Sequence, residues 1–85
     1  MQSQNAHHFN GTATTTPAKV ELGRLMQHLN IRNLDTTDGL EVSFNGGQSF
    51  YTIPAGQFLS ESVRKHEFWV RATAGTVDYC AIVLG

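Results

Sequence analysis

Leu40, Val42 and Phe44 alternate with Glu41 and Ser43, and after Asn45-Gly46-Gly47 a second run over 50–53 takes up the same rhythm. A side-chain period of two places alternate residues on opposite faces of a strand, and Asn and Gly tolerate the positive φ of tight turns. The segment predicts a β-hairpin, stopped by Pro54-Ala55-Gly56. Loop length decides which face each residue joins. A two- or four-residue loop sets Tyr51 and Ile53 beside Leu40, Val42 and Phe44 and turns Phe50 away. A three-residue loop sets Phe50 against Val42 and leaves Tyr51 outside. Either way one aromatic residue falls on the face opposite the Leu-Val-Phe stripe.

The same period runs from Lys19 to the end, with turn residues at short intervals. It predicts strands at 19–22, 25–33, 40–44, 50–53, 58–63, 67–72 and 77–84, with turns at Gly23-Arg24, 35–39, 64–66 and 73–76. The fold class is therefore all-β: a small antiparallel β-sandwich or jelly-roll-like domain of about seven short strands. Phe68, Val70 and Ala72 share one face of their strand, leaving Trp69 between Glu67 and Arg71 on the other. The last strand is apolar on both faces, with Val77, Tyr79, Ala81 and Val83 set against Cys80, Ile82 and Leu84. A sandwich strand has one inner face, so this surplus points to a covering partner or to the N-terminal segment folding over it.

That segment, residues 1–18, contains no Asp, Glu, Lys or Arg and only Met1 and Phe9 as large apolar residues. It is either a disordered tail or an extended N-terminal arm lying along another surface. An arm is the expectation, with Phe9, Asn10, Thr12 and Thr14 as its partner-binding residues and 19–85 as the β-sandwich domain.

Eighty-five residues make one small domain with a thin margin of stability. Its single cysteine, Cys80, cannot form an internal disulfide, and no Cys/His spacing suggests zinc, which leaves oligomerisation as the common remedy. A formal net charge of -1 gives no footprint for nucleic acid or an anionic membrane. No apolar run approaches the roughly 20 residues of a membrane span, and no signal-peptide layout opens the chain. These features suggest a soluble protein made in a cytoplasm.

Candidate chemistry is sparse. Cys80 lies in an apolar strand and reads as a small buried hydrophobe. Ser60 and Ser62 alternate with Phe58 outside any Gly-x-Ser-x-Gly elbow. His7 and His8 would point opposite ways in an extended segment, His28 reads as a strand residue with a local hydrogen bond, and His66 belongs to the short basic cluster Arg64-Lys65-His66. Asp35-Thr36-Thr37-Asp38-Gly39 lacks the ligand positions and terminal Glu of a calcium loop and reads as a turn, and Gly46-Gly47 is too short for a phosphate loop. No cofactor, metal or catalytic residue is expected. Trp69, Tyr51 and Arg71 could stack on a sugar, but Trp and Arg are also enriched in protein interface hot spots. Phe50, Tyr51, Trp69 and Arg71 are therefore the expected partner-binding residues of the domain.

In order along the chain, Ile31-Arg32-Asn33-Leu34-Asp35, the run LEVSFNGG at 40–47, Ile53-Pro54-Ala55-Gly56, Phe68-Trp69-Val70-Arg71 and AGTVDY at 74–79 resemble small β-sandwich structural proteins of tailed bacteriophages. The likeness covers about 31–83 and excludes the arm. It implies a non-enzymatic virion role, first of all as a capsid decoration (cement) protein on the capsid surface. Its implied partners are the major capsid protein and itself, as a homo-oligomer such as a trimer, with no nucleic acid or membrane. The alternatives are a tail or neck adaptor and a fibre-associated module binding a carbohydrate or receptor through Trp69 and Tyr51.

Overall fold

A computed structural model describes residues 6–85. Eight strands form: β1 (Ala6–Thr14), β2 (Ala18–Met26), β3 (His28–Asn33), β4 (Leu40–Ser43), β5 (Tyr51–Ile53), β6 (Phe58–Glu61), β7 (Lys65–Ala72) and β8 (Thr76–Leu84). Sheet 1 has the order β1-β8-β3-β6 and sheet 2 the order β2-β7-β4-β5, with all neighbours antiparallel. The pairs β1/β8, β2/β7, β3/β6 and β4/β5 nest inside one another. A long ribbon closed by the β4–β5 hairpin has thus been wrapped so that successive pairs alternate between sheets. That is the jelly-roll topology of a double-sheet sandwich, so the expected all-β jelly-roll class is the one adopted.

The period of two puts one face of each strand inward. Leu29, Ile31, Val77, Ala81 and Val83 from sheet 1 meet Leu40, Val42, Ile53, Phe68 and Val70 from sheet 2, all buried. Phe9, Val20, Leu22, Phe44, Leu59 and Val63 close the margins.

Three features differ from the sequence expectation. Residues 6–14 do not form an arm beside the domain: they are β1, paired along its whole length with β8, with Ala13 in the core. Composition gave no hint of this, because the apolar surface that holds β1 belongs to strands far along the chain; residues 1–5 of the expected arm lie outside the described residues. The proposed turn at Gly23-Arg24 is an irregularity inside β2, where the register shifts between Glu21 and Met26 and Gly23 takes a φ of 70°. The chain breaks instead at Gln27, whose N–H donates to Leu84 O at 2.7 Å and whose carbonyl accepts from Val63 N at 3.2 Å.

The hairpin follows the first of the two registers. Leu40 faces Ile53 and Val42 faces Tyr51, so Phe50 points away from the stripe. Its connection is longer than two to four residues, because pairing stops at Ser43 and resumes at Tyr51. Gly46 and Gly47 supply the positive φ, at 77° and 87°. The buried Ser43 hydroxyl accepts from Gly47 N at 2.9 Å and donates to Asn45 Oδ1 at 2.8 Å, and that oxygen also accepts from Ser49 N at 3.0 Å.

Candidate functional site

Trp69 and Arg71 alternate with the buried Phe68 and Val70 on β7, so both side chains stand on the outer face of sheet 2. Arg71 Nε donates to Glu41 Oε1 at 2.6 Å, and the guanidinium carbon lies 3.9 Å from the centroid of the Phe50 ring. Phe50, Arg71 and Trp69 therefore belong to one face, as the hairpin register requires. Much of that face is already engaged, because the guanidinium covers Phe50 and is tied to β4. Tyr51 is not part of it. It shares the inward side with Ile53 but sits at the border strand β5, 57% exposed. Trp69 and Tyr51 thus lie on opposite faces of sheet 2 and cannot form one stacking platform.

Trp69 also borders an open groove of about 300 Å³, formed with Phe44, Arg64, Lys65, His66 and Glu67. Its indole Nε1 is buried and meets no acceptor among the described residues. An unmet buried donor costs about 1–3 kcal/mol, so the ring holds its place through packing. The basic cluster at 64–66 and Trp69 are neighbours along the chain, but the arrival of Phe44 beside them is not local, because it comes through the β4–β7 pairing.

The four expected arm residues divide by parity along β1. Asn10, Thr12 and Thr14 are exposed, with Thr12 Oγ1 donating to Asp78 Oδ1 at 2.7 Å. Phe9 turns inward, its ring centroid 6.4 Å from that of Phe68, so it packs at this protein's own core margin. Gly11 shares that inner side. A Cβ there would come within 2.5 Å of Tyr79 Cζ, so the tyrosine ring needs glycine beneath it.

Outside sheet 1, the central strand β8 presents Cys80, Ile82 and Leu84, all half-buried, with Asn10 and Arg32 on either side of Cys80 and His8 and Asn30 on either side of Ile82. Cys80 is thus on the outer face, not in the core, because the inner places of β8 go to Val77, Tyr79, Ala81 and Val83. β1 lies beside β8 and not over it, so it does not cover this stripe. Phe58 and Leu34, 57% and 47% exposed, extend the apolar margin.

The polar groups do local work. His28 Nε2 lies 2.8 Å from Ser60 Oγ and Nδ1 lies 3.2 Å from Ser62 Oγ. In a neutral ring one nitrogen donates to its serine and the other accepts from its serine. Both ring nitrogens are thereby engaged by hydroxyls, one from β6 and one from the residue just beyond it. Asp35 Oδ2 accepts from Asp38 N at 2.7 Å and Thr37 N at 3.0 Å, closing a turn. Those two backbone N–H groups, followed by the Thr37 hydroxyl, hold its carboxyl below the ordinary value. Burial pushes the Tyr79 phenol up. Among the described residues no three His, Cys, Asp or Glu side chains converge as metal ligands, and the buried residues between the sheets are mostly apolar.

No protein-family model and no curated protein sequence matches the chain. Several solved structures share its fold. A cupin domain of an XRE-family transcriptional regulator from Enterobacter cloacae superposes with a TM-score of 0.66 at 13% identity, over 92% of this chain and 79% of that one. An RmlC-like cupin from Desulfovibrio desulfuricans gives 0.63 at 21% identity, over 98% and 76%. A protein of the disulfide-linked pili that form Bacillus endospore appendages gives 0.60 at 19% identity, over 96% and 85%. None of these three is a phage capsid protein, and at such identities the likeness is one of fold: this chain is a small eight-stranded jelly roll.

Proposed function

We propose that this protein is a non-enzymatic structural component of a tailed-bacteriophage virion, a capsid decoration or cement protein that binds the major capsid protein and acts as a homo-oligomer. The observation that carries the reading is the outer face of sheet 1, where β8 turns Cys80, Ile82 and Leu84 outward and no segment of the described chain covers them. The inner faces of the sheets form the apolar core, and an apolar stripe on an outer face suits an assembly protein. The jelly roll is a recurrent fold of viral capsid domains, though also of lectins and cupins. The phrases resembling phage β-sandwich proteins fall on β3, the β4–β5 hairpin, β7 and β8. The glycan-binding alternative loses support, because Trp69 and Tyr51 face apart.

Reconstitution with phage capsids lacking the protein tests this reading, with bound copies counted per particle by quantitative mass spectrometry. Hundreds of copies are expected, and Ile82→Glu should lower occupancy about tenfold while leaving the circular dichroism unchanged, as loss of one well-buried interface side chain would. About a dozen copies or fewer would move the protein to the neck or tail, and no binding would sink the proposal.

A further inference from the structure

A border strand offers a row of unpaired N–H and C=O groups to any other extended chain, and sheets survive in water by spoiling that row. Three of the four borders here are spoiled. β5 and β6 are three and four residues long, and β2 is interrupted at Gly23 and carries Lys19, Glu21 and Arg24. β1 is different. It runs nine residues without a register shift, and AHHFNGTAT contains no Pro, Lys, Arg, Asp or Glu. A second feature lies along the same border: a slot of about 110 Å³ opens between β1 and β2, lined by Phe9, Val20 and Leu22 with His7 and Glu21. Among the described residues no strand pairs with the outer edge of β1, and such an edge beside an apolar slot is the arrangement used in strand addition, where main-chain hydrogen bonds give affinity and side-chain pockets give selectivity.

We propose that two copies of this chain join here, β1 against β1 and antiparallel, fusing two four-stranded sheets into one of eight across a two-fold axis. A second copy is the fitting occupant because the border is complementary to itself. With no Lys, Arg, Asp or Glu on β1, any antiparallel register avoids opposing fixed like charges, which are destabilising when directly across a sheet. The strands have equal length, so neither leaves a long unpaired overhang. A two-fold contact also closes on itself, removing from the surface the one border the sequence does not protect. The inference rests on the homo-oligomer of the preceding reading and not on the capsid, so capsid occupancy and self-association are measured separately.

Sedimentation equilibrium of the full chain over a wide concentration range provides the test, with two charge-bearing variants, H8K/N10K and H8E/N10E, whose side chains point outward from β1. The wild type should form a dimer. Each variant alone should need at least about tenfold higher concentration to dimerise, and an equimolar mixture should regain wild-type association, because Lys then faces Glu. Variants that associate like the wild type, a mixture no tighter than its components, or a monomeric wild type would each overturn the proposal. Amide hydrogen exchange on the wild type keeps the question open to refutation if the variants fold poorly. The β1 amides not bonded to β8 should gain protection as concentration rises. Protection independent of concentration, or gained only on adding purified capsid protein, would overturn self-pairing.

Discussion

Asn33 is fully buried, yet all its side-chain groups are engaged. Nδ2 donates to Asp38 O at 2.9 Å and Ile53 O at 3.0 Å, while Oδ1 accepts from Asp35 N at 2.8 Å. One amide thus ties the end of β3 to the turn that follows and to the end of β5. Replacing it leaves the buried Ile53 carbonyl without this donor, at about 1–3 kcal/mol where water cannot reach, and removes two bonds to half-buried groups of the turn, which water can partly replace. Asn33→Ala should therefore lower unfolding stability by about 3 kcal/mol, read as a fall in the urea midpoint at unchanged slope. Parity puts Asn33 on the face of Leu29 and Ile31, but a polar residue at a strand end does not by itself reveal that it is enclosed. Its burial depends on Ile53 arriving 20 positions later.

The elements were legible where pairing is local. The β4–β5 hairpin announced itself because its strands and turn are contiguous, and its face assignment followed from parity. The Asp35 turn is local too, and its acid behaviour follows. Because the folded carboxyl titrates below the ordinary 3.8, its contribution is complete above that value and drains away as pH falls through the lower folded one. Asp35→Asn should remove that part of the acid limb, so wild type and variant should differ in stability at pH 6 and converge toward pH 2, as followed by urea titration at each pH. β1 was not legible, because its partner β8 lies at the far end of the chain. Removing residues 1–17 tests what it does. Loss of a buried strand edge and of Ala13 from the core should abolish cooperative unfolding, whereas a detachable arm would leave the melting transition intact.

At the scale of the molecule, the core is one layer of side chains between two four-stranded sheets, in a body of 43 × 24 × 16 Å. Class and period were readable from the sequence, but the nesting of strand pairs was not, since outer pairs such as β1/β8 leave no local mark. Such non-local pairing predicts refolding on the millisecond-to-second scale.

The same outermost pair decides how the domain bears load. Ala6 lies opposite Leu84, so the two ends of the described chain leave the molecule side by side from one end of the β1/β8 ladder. Tension applied through those ends would peel that ladder one rung at a time, because its hydrogen bonds are loaded in succession and not together. Pulled at residues 6 and 84 in an optical trap, the domain should open at markedly lower force than when gripped at Thr14 and Leu84, where the same rungs are sheared. By the same geometry, a load carried across the faces of the sheets bypasses the β1/β8 ladder that a load through the ends would peel.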